Sequence, residues 1–176
     1  MKKILMGLMC VLLLCGCSNK TSETNTNELI ISGKISSILT KLDDSNSFYT
    51  IGLDAANTLL ESGTGIIFIG DSDNKDTQNN AVTFNEALSS NDMQAAYVNL
   101  KNLSDSEKDN LFNKLNNINT SNLDIDNSKS MLVCVSNGKL LSINYDDSNL
   151  SSNIENVKNL QAKSTNVGCE AGCKVE

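Results

Sequence analysis

The sequence predicts an α/β domain in which helices cover both faces of a mixed central sheet. Three observations predict it. From Leu29 to Gln161, short apolar runs alternate with segments of helical period. One run, "TGIIFIG", is apolar without a break, and the last two β runs flank Asn137-Gly138. Alternation of this kind implies a sheet with helices on both sides. An unbroken apolar run suits a strand buried on both faces, and Asn-Gly is the strongest short hairpin signal.

Element by element, "LIISGKISSI" and "SFYTIG" read as extended, with Ile, Phe and Tyr among polar residues. "LDAANTLLES" places Leu53, Ala56, Leu59 and Leu60 at helical spacing and stops before Gly63. "TGIIFIG" is the central strand. "VTFNEALSS" is a helix with Val82, Phe84 and Leu88 on one side, and "MQAAYVNL" returns to strand. "LSDSEKDNLFNKLNNI" opens on Ser104 with Glu107 three residues later, the signature of a capping box. "SMLVCVSNGKLLSINYD" is the hairpin, and "DDSNLSSNIENVKNLQ" a final helix with an acidic first turn that suits the helix dipole. The expected organisation is a leader over 1–16, a tether over 17–28, the α/β domain over 29–161 and a cysteine-containing tail over 162–176.

The leader sets the expected compartment. "MKKILMGLMCVLLLCGC" is two lysines, an apolar run and small residues before Cys17, a secretory pattern too short to be a membrane span. Its ending, Leu14 to Cys17, resembles the lipobox of bacterial lipoproteins. That resemblance implies cleavage before Cys17 and a diacylglycerol on its thiol, hence a protein held on the outer face of the cell membrane. Two acyl chains anchor stably where one binds only marginally. "SNKTSETNTNE" has no apolar residue and reads as a spacer, about 20 Å in typical reach and roughly 35–40 Å stretched.

Composition excludes several functions. Without Lys2 and Lys3 the chain keeps 12 lysines and no arginine against 21 acidic residues, a formal charge of −9. Such a surface is poorly matched to phosphate backbones, so nucleic acid is not an expected partner. With no Trp and 4% aromatic residues, stacking platforms for bases or sugars are not expected either. The absence of His rules out His-based triads and HExxH zinc sites, and the absence of Pro rules out a cis-prolyl turn.

The order of elements, with "GIIFIG", "AAYVNL" and "SMLVCVSNGKLLS" in their places, resembles the thioredoxin fold, a three-layer sandwich with a mixed central sheet. Within it, the chain is similar to the group that includes bacteriocin-transport accessory proteins, from Phe48 to Leu160. Active members of that family carry Cys-x-x-Cys after the central strand, at a helix start that lowers a thiol pKa. Here those positions fall within Asp73, Asn74, Lys75, Asp76 and Thr77, and the family's cis-proline position matches Ser130. The resemblance therefore implies the scaffold without thiol–disulfide exchange, without a cofactor and without catalytic residues to carry over. It implies instead a binding or accessory role in envelope or peptide-export processes, with a protein or peptide partner.

Other residues carry signals of their own. The segment Asp71 to Gln78 reads as an exposed, chemically inert loop. "DSDNKD" begins like an EF-hand loop, but Lys75, Asp76 and Val82 break the pattern at positions five, six and twelve, leaving a hydrated acidic loop. A non-EF cation site at Asp71, Asp73 and Asp76 stays open as a weaker reading; no metal is assigned. Cys134 lies in an apolar strand and reads as a small buried hydrophobe. Cys169 and Cys173, in "NVGCEAGCKVE", read as a local disulfide clip, with a displaced redox pair or a metal-binding thiol pair as alternatives. A thiol–disulfide oxidoreductase using that pair is the alternative function.

Overall fold

The computed structural model describes residues 32–166. Expectations that fall on Cys17, Cys169 and Cys173, the leader and the tether lie outside the described residues. The elements are β1 (Phe48–Thr50), α1 (Leu53–Ser62), β2 (Thr64–Gly70), α2 (Lys75–Ser90), β3 (Ala95–Asn99), α3 (Asp105–Ile118), β4 (Met131–Ser136), β5 (Lys139–Asn144) and α4 (Leu150–Asn166), with 3-10 turns at Ser32–Ser37 and Leu100–Asn102.

The strands form one sheet in the order β1-β3-β2-β4-β5. β1, β3 and β2 run parallel, β4 is antiparallel to β2, and β5 is antiparallel to β4. β2 is the middle strand, which explains its unbroken apolar run: residues 65–70 include Ile66, Ile67, Phe68 and Ile69, all buried. Its alternate side chains feed two cores. Ile67 and Ile69 join Ala56, Leu60, Leu111 and Leu115 under α1 and α3. Ile66 and Phe68 join Phe84, Leu88, Ile154 and Val157 under α2 and α4. The architecture is thus a three-layer α/β sandwich about a mixed sheet. Phe68 is the hub of the second core, its ring centred 5.4 Å from Phe48 and 5.3 Å from both Phe84 and Tyr97.

Local chemistry sets the boundaries. The hairpin turns on Asn137 (φ 50°) and Gly138 (φ 71°), the pair of positive angles that a two-residue turn of matching twist requires. α3 carries the expected capping box: Ser104 N–H donates to Glu107 Oε2 at 2.8 Å and Glu107 N–H to Ser104 Oγ at 3.4 Å.

Four expectations are corrected. Ser32–Ser37 is a 3-10 turn rather than a strand, because Ile35, Leu39 and Leu42 recur at helical spacing and all reach the core. α2 begins at Lys75, well before Val82, because Asn74 caps it and its buried stripe starts at Thr77 and Ala81. Asp146 and Asp147 precede α4 instead of forming its first turn; the Asp146 carboxylate accepts the Ser148 N–H, and Asn149 takes a positive φ of 56°. α4 then continues to Asn166, past the expected end at Gln161.

Removing the cap tests this local reading. Ser104→Ala is expected to lower stability by about 1 kcal/mol near neutral pH. Hydrogen bonds from the Ser104 side chain, then its backbone, hold the Glu107 carboxyl below its ordinary value. Its contribution is therefore full above the unfolded carboxyl's pKa and is lost as pH falls through the lower folded value. Denaturant melts of both proteins should show the wild-type advantage shrinking below about pH 4. An advantage constant down to pH 2 would contradict the box.

Candidate functional site

Adjacent parallel strands β2 and β3 send their chains to opposite faces. After Gly70 the chain enters α2 on one side, and after Asn99 it passes through Leu100–Asn102 into α3 on the other. Where neighbouring strands part in this way, an α/β sheet opens a crevice beyond the strands' carboxyl ends. A cleft of about 440 Å³ lies there. From the β2–α2 side it is lined by Gly70, Asp71, Asn74 and Thr77, and from the β3–α3 side by Leu100, Asp105, Lys108, Asp109 and Phe112. The segment Asn127 to Ser130, just before β4, closes it.

Gly70 is the floor of the cleft because nothing larger fits. A methyl group there would lie 2.7 Å from Thr77 Cγ2 and 2.9 Å from Ser130 Cβ. Its carbonyl accepts the buried Tyr97 hydroxyl at 3.0 Å, which ties β2 to β3 where they diverge. Burial first, then the charges of Asp71 and Asp73, push the Tyr97 phenol far above its ordinary value, so it stays a neutral donor.

The sequence placed seven polar residues of this segment together, and they separate into distinct roles. Asp71 Oδ1 accepts the Asp73 N–H at 2.9 Å, closing the turn. Asp73 is exposed and pairs with Lys101 at 2.8 Å. Asn74 is the N-cap of α2, accepting the Asp76 N–H at 2.8 Å. Lys75 and Asp76 are exposed on the first helical turn, whereas Thr77 is only 1% exposed. Gln78 donates to the carbonyls of Ile38 and Ser72. The expectation of an exposed loop from Asp71 to Gln78 is therefore corrected from Lys75 onward: a well-capped helix begins there and carries Thr77 inward. Asp71, Asp73 and Asp76 do not converge, since one closes a turn, one pairs with lysine and one rides on the helix; no group of three acidic or thiol ligands forms among the described residues.

Ser130 is buried, and its Oγ accepts from Asn80 Nδ2 at 3.0 Å. Thr77 and Ser130, 53 positions apart in the sequence, thus meet across Gly70. Sequence reasoning missed the α3 contribution, Lys108, Asp109 and Phe112, and the residues from Asn127 to Lys129. Nothing in their local pattern marks them, because only the sheet topology brings α3, on the opposite face from α2, to the same cleft. Cys134 is buried on the α2–α4 face of β4, away from the cleft, and burial pushes its thiol up to about 11.

No protein-family model matches the chain, and no curated protein sequence matches it. Among the described residues no helix is long and apolar enough to cross a membrane. The cleft offers hydroxyls, amides, carboxylates and ammonium groups, and no thiol or imidazole. That set can hold a polar ligand through hydrogen bonds.

Two outcomes follow from this geometry. Gly70→Ala should cost about 1–3 kcal/mol, as overpacking does. Adding Thr77→Ser should recover part of that by removing the nearer obstruction, read by denaturant melts; full tolerance of Gly70→Ala would contradict the close floor. In a chain whose only cysteine is Cys134, iodoacetamide at pH 8 should react far faster in denaturant than in buffer, and equal rates would place the thiol at the surface.

Proposed function

We propose that the protein is a membrane-anchored lipoprotein on the outer face of the cell membrane. Its thioredoxin-like domain is redox-inactive and binds a protein or peptide partner in an accessory role. The observation that carries this reading is the cleft itself. It is formed, it lies where an α/β sheet places ligands, and its lining takes in Asn74 and Thr77, from the segment Asp73 to Thr77 that the resemblance sets against the thiols, and Ser130, set against the proline. Asn74, at the N-cap, and Thr77 keep the spacing of a Cys-x-x-Cys at a helix start. An amide and a hydroxyl cannot exchange disulfides. Support for the resemblance comes from the mixed five-stranded sheet, the helices on both faces and the edge hairpin. The anchor rests on the Leu14–Cys17 lipobox, and the negative charge argues against nucleic acid.

The alternative, a thiol–disulfide oxidoreductase at Cys169 and Cys173, starts from the far end of the sheet. α4 runs from the cleft end of the sheet to the opposite end, where Gln161 Nε2 donates to the Thr64 carbonyl at 2.9 Å. Thr64 and Gly70 lie about 20 Å apart along β2. From Asn166, a fully extended chain reaches at most roughly 10 Å by Cys169 and roughly 25 Å by Cys173.

The anchor and the missing redox chemistry are tested separately. Cys17→Ser should move the protein from the membrane fraction to the soluble one; a variant that still pellets in a detergent-sensitive way overturns the anchor. The full chain should show no insulin-reductase activity. Measurable activity that disappears in Cys169→Ser would put the oxidoreductase reading first.

A further inference from the structure

We infer that a second pocket, at the carboxyl ends of β1 and β3, binds an uncharged carbonyl oxygen carried on an apolar body. The pocket holds about 340 Å³ and shares no lining residue with the cleft at Gly70. The ladder between the two strands ends where the Ile51 N–H donates to the Tyr97 carbonyl at 3.1 Å. Beyond it, Ile51, Leu53 and Leu103 approach from one core and Ile38 from the other. All four are only partly buried, so apolar surface is gathered at one end of the sheet where water reaches it. No charged side chain lines the pocket. An apolar pocket of a few hundred Å³ with few polar groups is the usual form of a small-ligand site.

Two observations point to an oxygen within that pocket. Thr50 lines it and is 9% exposed, and its Oγ1 is buried with no hydrogen-bond partner. A buried hydroxyl is ordinarily paired, and leaving it unpaired is destabilising. Its polar neighbours are engaged elsewhere: the Tyr97 hydroxyl donates to the Gly70 carbonyl, and the Asn99 amide bonds Ser72 and the Lys101 N–H. The second observation is the start of α1. Gly52 is its N-cap, no side chain accepts from its first turn, and Gly52 and Leu53 both line the pocket. Uncapped N–H groups only donate, and a hydroxyl can donate as well. An oxygen that accepts satisfies both. A carboxylate would enter with no cation in the lining, beside a helix start whose favoured negative charge Asp54 already supplies. An uncharged carbonyl meets the same donors without that desolvation. It can belong to a free small molecule or to the backbone beside an apolar residue of a peptide; the pocket chemistry is the same for both. The inference stands apart from the cleft and from the reading built on it.

The test uses the full chain, with binding read from the amide shifts of Thr50 to Leu53 and of Leu103. The probes are methyl isobutyl ketone, the hydrocarbon with a methylene group in place of its oxygen, the similarly shaped anion isovalerate, and acetyl-leucine-methylamide. The ketone should bind about threefold or more tighter than either the hydrocarbon or isovalerate. Thr50→Val should narrow that margin, and Thr50→Ser should keep it. The valine variant should melt at an unchanged or higher temperature, because the hydroxyl has no partner to lose. Gly52→Ser, whose hydroxyl caps α1, should also narrow the margin with no loss of stability. Acetyl-leucine-methylamide binding as tightly as the ketone would support a peptide source, and binding by the ketone alone would support a free molecule. Ketone and hydrocarbon binding equally, or isovalerate binding tightest, would overturn the inference. So would a ketone margin unchanged in Thr50→Val, a lower melting temperature for that variant, or no shift with any probe, whatever the membrane and insulin assays report.

Discussion

β2 must be buried on both faces, and the rest of the structure is arranged around that requirement. A strand with Ile66, Ile67, Phe68 and Ile69 in succession cannot lie at an edge or on a half-exposed sheet without leaving large apolar side chains in water. Its two neighbours, β3 and β4, satisfy its backbone. Its two sets of side chains demand a helical layer each, supplied by α1 with α3 and by α2 with α4. Phe68 makes the second layer specific, because three other rings pack against it at defined angles.

The cleft is a consequence of the same arrangement. Placing α2 on one face and α3 on the other forces the chains after β2 and β3 apart, and the gap opens at Gly70 and Leu100. The Tyr97–Gly70 bond limits that parting, and the missing side chain at Gly70 lets Thr77 and Ser130 close in from opposite directions. The floor of the cleft is therefore part of the packed structure, while its rim, from Asp71, Asp105, Lys108 and Asp109, is a surface feature of two helix starts. Changes at the floor should register in stability, and changes at the rim in binding.

What was legible in the sequence follows from how local each cause is. The bounds of α1 and β2, the hairpin at Asn137-Gly138 and the box at Ser104 each depend on a few neighbouring residues, and the structure has them where the pattern put them. Ser32–Ser37 was misread because two periods overlap there: Ile30 and Ile31 suggest a strand, whereas Ile35, Leu39 and Leu42 obey the helical spacing that reaches the core. The start of α2 was hidden because its first buried residue is the polar Thr77, which a search for apolar stripes passes over. At the site, the segment from Asp73 to Thr77 and Ser130 could be named in advance, since each follows or precedes a recognisable strand. Lys108, Asp109 and Phe112 could not, because their relation to the site exists only once α3 is packed on the opposite face of the sheet from α2.

Thr77 separates what packing explains from what it does not. The methyl of Thr77 contacts the cleft floor as a valine methyl would, and its helix position on the stripe with Ala81, Phe84 and Leu88 asks for an apolar side chain. Packing therefore accounts for the β-branched shape. The hydroxyl lies beside Gly70, where Thr77 lines the cleft. Asn80 Nδ2 donates to Ser130 Oγ and to the Tyr145 carbonyl, and Asn74 Oδ1 accepts the Asp76 N–H, so amides hold the elements that meet at the floor. Shape and hydrogen bonding therefore divide the work at the floor: the Thr77 methyl fills the space that Gly70 leaves, and the amides of Asn74 and Asn80 fix the helix that carries it.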